Sequence, residues 1–296
     1  MRLYISAFCL LLTLLLSSCS WQSPQKPAKP LVIASISPYD TFIREIAGDT
    51  LEVMVAVPPN YNSHIFEPTP KQLQGFQHGV IWFGIGEPFE KKLIQALTSH
   101  NEHLLQVDLG QDLPLEKYHT ESSVTNICGQ AHEHEAMDLH FWMSPKLALI
   151  QAKTIAHFLM SRFPEHTLLY ENNLTALEQK FQALDLTLAS LLGPLQESAI
   201  IVSHPSLGYF CQDYHLIQLS IECEGKTPMP KDVSQVLTLA KMHPPLCVFT
   251  QEQFDNRGAI SIAQRLKLPV YTINPNDPDY FNNLHHIAQE IAQSSP

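Results

Sequence analysis

After Pro164 the chain runs to Leu192 without another proline and without a glycine, and then stops at Gly193-Pro194. A run free of breakers and closed by a Gly-Pro pair reads as one helix, long by globular standards. At 1.5 Å per residue it reaches on the order of 40 Å, enough to cross a whole molecule. The rest of the chain must therefore be arranged around it. Before it, apolar runs rich in β-branched residues alternate with helices whose starts carry proline. Leu31–Ile36 precedes Ser37-Pro38, Leu51–Val57 precedes Thr69-Pro70, Val80–Phe83 precedes Pro88, and Ser144-Pro145 opens a helix to Arg162. Proline suits the first helical position, where no backbone N–H is needed. After the long helix the alternation resumes. Strands Ala199–Val202, Leu246–Thr250 and Val270–Ile273 are interleaved with helices starting at Pro205, Asp232, Asn256 and Pro278. Strands separated by helices give parallel sheets with helices on their faces. The predicted fold is α/β, two lobes each built on a mainly parallel sheet and joined by one rigid helix, with a cleft between them. The boundaries are 31–163 for the first lobe, 164–193 for the helix and 194–296 for the second lobe.

The first 30 residues are of another kind. Met1–Leu16 carries one charge, Arg2, and then an apolar run too short to span a bilayer, followed by Ser17-Ser18-Cys19. This is the pattern of an export signal, residues 1–18, with Cys19 placed for lipidation. Residues 19–30, rich in proline and polar side chains, read as a tether. The protein is expected outside the cytoplasm, periplasmic or on the cell surface, and held to a bacterial membrane by lipid. A net charge of −11 argues against nucleic acid and is compatible with a cationic ligand. Four cysteines lie beyond the tether, Cys128, Cys211, Cys223 and Cys247, and no two form Cys-x-x-Cys. A thiolate zinc site or a redox pair of that kind is thus excluded, and any disulfide pairing is unreadable.

The histidines, 15 against 18 lysines and arginines, carry the chemistry. Ligands in parallel α/β folds bind outside the carboxyl ends of strands. His64 follows the second strand through a Pro-Pro-Asn loop, His204 follows "AIIV" by two residues, and His140 stands just before the helix at Pro145. Gln251-Glu252 and Asn274 occupy the same kind of position after later strands. Each of the three motifs, "NSHIFEPTP" from Asn62, "DLHFWMSP" from Asp138 and "HPSLGYF" from His204, resembles a site motif of the metal-binding solute-binding proteins of zinc and manganese ABC importers. The likeness extends over nearly everything from Leu31 onward.

The resemblance implies that His64, His140 and His204 ligate a divalent metal, two from the first lobe and one from the second. It also implies that Glu67 orients His64 and that Phe66, Trp142 and Tyr209 wall the site. It implies a monomeric binding protein that hands its metal to ABC permease subunits. Imidazole suits Zn²⁺, so zinc is favoured, with Mn²⁺ or Fe²⁺ admitted by supply and geometry. Where the family commonly has a carboxylate, this chain has Asn274, so Asp277, Asp279, Asn274 or a water stands as the fourth ligand, water being preferred. The segment Leu115–Met137, with His119, His132, Glu133, His134 and Glu135, sits where zinc-specific members carry an acidic histidine loop, and reads either as solvated or as a weak second metal site. Two other functions remain open on the sequence. One is a zinc hydrolase using an open fourth position, although no His-Glu-x-x-His occurs. The other is a metal-scavenging adhesin without a permease.

Overall fold

The computed structural model describes residues 29–115, 124–125, 138–221 and 230–295. The signal, residues 19–28 of the tether including Cys19, and the histidines of the 116–137 segment lie outside them. The first sheet has strands β1 (Leu31–Ile36), β2 (Glu52–Val57), β3 (Gly79–Gly84) and β4 (Leu105–Asp108), in the order β2-β1-β3-β4. The second has β5 (Val124–Thr125), β6 (Ala199–Val202), β7 (Ile217–Ser220), β8 (Pro245–Gln251) and β9 (Val270–Ile273), in the order β5-β7-β6-β8-β9. Every pairing in both sheets is parallel. All residues of β1 and β6 are buried, as expected of central parallel strands covered on both faces.

The helices form where the sequence supplies their ends. They are α1 (Ser37–Ala47), α2 (Pro70–Phe76), α3 (Pro88–Thr98), α4 (Pro145–Arg162), α5 (Thr167–Leu192), α6 (Gly208–Asp213), α7 (Pro230–Met242), α8 (Arg257–Leu266) and α9 (Tyr280–Gln293). Thr69 and Gln72 form a reciprocal capping box at α2, and Ser144 accepts from the Leu147 N–H at α4. The long helix is α5, entered through a 3-10 turn at Pro164–His166 and left through another at Gly193–Leu195.

The buried face of α5, Tyr170, Leu177, Phe181, Leu184, Leu188 and Leu192, keeps helical spacing and faces both halves of the molecule. Phe181 meets Phe42 of α1 at 5.2 Å and Tyr280 of α9 at 5.8 Å between ring centroids. One core therefore includes residues from before and after α5, and a smaller one, including Ile201, Leu219, Val236 and Ile262, lies around α7 and α8. Three details differ from the sequence reading. Strands β4, β5 and β7 were not anticipated, and β5 joins the second sheet although it precedes α5 in the chain. The helix expected from Pro205 begins only at Gly208, which leaves Ser203–Leu207 as the loop bearing His204.

Candidate metal centre

His64 reaches the cleft because β2 ends at Val57 and Asn62 opens a 3-10 turn, Ser63–Ile65, accepting from the His64 backbone N–H at 2.9 Å. The carboxylate behind its ring comes from the next strand-to-helix connection. β3 ends at Gly84, and Gly86, at φ 87°, makes a bend that side chains with a Cβ rarely adopt. Glu87 then stands at the N-cap position of α3, held at 3.2 Å from His64 Nδ1 and accepting from Ser63 Oγ at 2.8 Å. Burial would raise the Glu87 pKa. The hydrogen bond and charge of His64, helped by Ser63 and His140, outweigh it and hold the carboxyl below its ordinary 4.5. Glu67, expected in this role, is solvent-exposed instead: Phe66 turns inward and the following residue turns out.

His140 has its own carboxylate. Asp138 Oδ1 accepts from the His140 backbone N–H at 2.9 Å and pairs with Nδ1 at 2.7 Å. Fixing Nδ1 in both residues leaves Nε2 as the atom offered to the cleft, the arrangement by which a carboxylate sets the tautomer of a ligating imidazole. His204 enters from the other lobe. Its carbonyl accepts from Gln251 Nε2 at 2.9 Å, and its ring stacks on Phe254 with centroids 4.0 Å apart and planes at 9°. Burial pushes the His204 pKa well below 6.5, and the neighbouring His140 and His64 add to the effect.

The three rings converge with centroids 4.9 to 5.4 Å apart, and one ligand atom from each lies within 4.8 Å of the others. His64 Nε2 and His204 Nε2 are 3.0 Å apart. Ligand nitrogens on a tetrahedral zinc at 2.0–2.1 Å stand about 3.3 Å apart, so this pair is within a few tenths of an ångström of holding one ion. Three imidazoles, two of them backed by carboxylates, make a donor set that fits a borderline divalent metal.

Of the aromatic residues expected around the rings, Trp142 lies 5.2 Å from His140 and donates Nε1 to Pro275 O at 2.8 Å. Tyr209 is buried and donates its hydroxyl to Asp138 O at 2.7 Å, which ties the His140 loop to α6. Phe66 packs on Tyr61 and Phe89. Phe254 was not singled out in the sequence; it follows β8 at a strand terminus where binding residues collect.

The expected fourth-ligand residues are differently engaged. Asn274 Oδ1 accepts from Gln253 Nε2 at 2.9 Å and from the Asn276 N–H at 3.0 Å, which uses both of its lone pairs. Asp277 accepts from the Asp279 N–H, and Asp279, exposed at the N-cap position of α9, accepts from Asn282 Nδ2. Neither carboxylate joins the histidine group. The turn after β9 thus builds the entry to α9 and leaves the fourth position to something else.

Two parallel-sheet lobes carrying a three-histidine cleft define a metal-binding protein of the solute-receptor type. The family described as "Zinc-uptake complex component A periplasmic" matches residues 32–294, and the chain belongs to it. A protein of Chlamydia trachomatis is 30% identical over 277 residues, 93% of this chain and 95% of that one. The high-affinity zinc uptake protein ZnuA of Bacillus subtilis is 26% identical, over 92% of this chain and 87% of its own. A ZnuA crystal structure superposes with a TM-score of 0.79 at 32% identity, over 90% of this chain and all of that one.

Proposed function

We propose that this protein captures a divalent transition metal outside the cytoplasm and delivers it to the permease of an ABC importer, with His64, His140 and His204 as ligands, Glu87 orienting His64 and Asp138 orienting His140. The observation that carries the reading is the convergence of the three imidazoles from two lobes, with ligand atoms within 4.8 Å of one another. Zinc is the cargo that nitrogen ligands of this kind favour, and Mn²⁺ and Fe²⁺ are the competitors. A water completes the coordination, since Asn274 is engaged elsewhere and Asp277 and Asp279 lie outside the group.

The size of the site favours a carrier over a hydrolase. The cavity lined by His64, His140, Gln251, Gln253, Phe254 and Asn276 has a volume of about 10 Å³. Roughly 10–15 Å³ is the room for a single water, so the enclosed space suits a bare ion. Attachment through lipidated Cys19, export by residues 1–18 and a monomeric state complete the proposal, in keeping with a family of periplasmic uptake components.

The test is the metal content of protein purified without added metal, followed by zinc and manganese competition on the parent and on His64→Ala, His140→Ala and His204→Ala. Zinc outcompeting manganese, with affinity lowered by orders of magnitude in each variant, is the expected result. Parent-like affinity in a variant removes that residue from the site.

A further inference from the structure

Three side-chain amides on the second-lobe wall of the histidine cavity, those of Gln251, Gln253 and Asn276, have a buried oxygen with no hydrogen-bond partner among the described residues. For the two glutamines the orientation is forced. Gln251 Nε2 donates to His204 O and Ser206 Oγ, each at 2.9 Å, and Gln253 Nε2 donates to Pro59 O and Asn274 Oδ1, each at 2.9 Å. Carbonyl oxygens only accept, so the nitrogens must lie on those sides and the oxygens are the atoms left over. Gln251 is fully buried and Asn276 is 7% exposed. Leaving a buried acceptor unsatisfied destabilises a fold, and three such acceptors around one small cavity point to an occupant that is positive or rich in protons.

We propose that these oxygens, with Gln253 and Asn276 foremost, receive the protons of the water at the fourth position of the bound metal, and that they set the selectivity of the site. This rests on the metal-capture reading above and says what takes the place of a carboxylate. A bound water has two hydrogens to donate, and the three amide oxygens are acceptors able to meet them. The fourth position is thereby neutral and hard to fill with an anion. Such a set keeps the nitrogen-dominated character that favours zinc, whereas a carboxylate there would suit manganese better.

The experiment compares the full chain with Asn276→Leu, Gln253→Leu and Asn276→Asp by zinc and manganese competition and by melting of the metal-free protein. Asn276→Leu should lose about tenfold in zinc affinity, the scale of one or two hydrogen bonds. Its metal-free melting temperature should hold or rise, because an unsatisfied buried acceptor has been removed; a merely structural asparagine would lower it. Asn276→Asp should narrow the preference for zinc over manganese. Zinc affinity within twofold of the parent in both leucine variants overturns the inference while leaving the three-histidine site standing. A parent that binds no zinc, manganese or iron overturns the metal reading itself, and this inference with it.

Discussion

Glu87 and Asp138 decide which nitrogen each of two imidazoles presents; Asp138 opens one of the three site motifs, whereas Glu87 belongs to none of them. His64 and His204 stood out because they follow strand ends, and all three histidines lie in recognisable motifs. Glu87 also follows a strand end, in "GIGEP", but an acid before a proline reads first as helix-entry chemistry, and its partner lies 23 residues away. Glu67 was the near neighbour in sequence and the wrong one in space. Replacing Glu87 with glutamine keeps its size and removes its charge. Zinc affinity should fall about 10- to 100-fold, while Glu67→Gln should leave it unchanged; chelator competition on the two variants separates them.

Burial gives His204 a distinct pH dependence. Its pKa in the native protein is depressed below 6.5, so as pH falls below about 6.5 the unfolded chain takes up a proton that the native protein refuses. The contribution of neutral His204 to stability is therefore full above that value and lost below it, by up to about 1.4 kcal/mol per pH unit. Glu90 works the other way: burial raises its carboxyl to about 7, so its protonated form favours the native state as pH falls from there toward 4.5. The two oppose each other, and a single stability curve would conceal both. The stability of metal-free parent minus that of His204→Gln, from urea unfolding, should shrink between pH 7.5 and pH 5.5; a constant difference would contradict a buried, neutral His204.

At the scale of elements, the parts with punctuation were readable. Pro38, Pro70, Pro88 and Pro145 mark helix starts, Gly48 closes α1, and the absence of breakers after Pro164 marked α5. The strands that escaped notice are β4, with three of its four residues exposed, β5, with two residues, and β7, entered through His215 at φ 57°. The edge strands β4 and β5 lack the apolar run that a fully buried strand carries, whereas β7 lies inside its sheet and is mostly buried, its apolar pattern broken by Gln218 and Ser220; pairing supplied by a sheet is not encoded in local pattern. Nor did any local signal predict that α9 returns to pack on α5. That packing turns on Phe181, 1% exposed, against Phe42, Tyr280 and Phe281. Phe181→Ala should cost about 3–5 kcal/mol by opening a cavity between three helices. Denaturant unfolding checks this, and a loss under 1 kcal/mol would mean that the seam is not packed as described.

For the molecule as a whole, the three histidines come from chain before and after α5, and the walls of the cleft are tied together around them. Tyr209 reaches Asp138 O, Trp142 reaches Pro275 O, and Gln253 reaches Pro59 O, each a bond between chain preceding α5 and chain following it. The two-lobe architecture and the place of the site between the lobes could be inferred from strand order and one long helix, whereas these ties join residues distant in sequence and depend on the completed fold. An ion bound here must accept nitrogen from both lobes at once. X-ray absorption at the zinc edge, on the zinc-loaded parent and on His204→Ala, tests that most directly. Only nitrogen and oxygen neighbours at about 2.0–2.1 Å are expected, with the multiple scattering of three imidazoles in the parent and of two in the variant. A sulfur shell at about 2.3 Å, or the same imidazole count in both proteins, would contradict it.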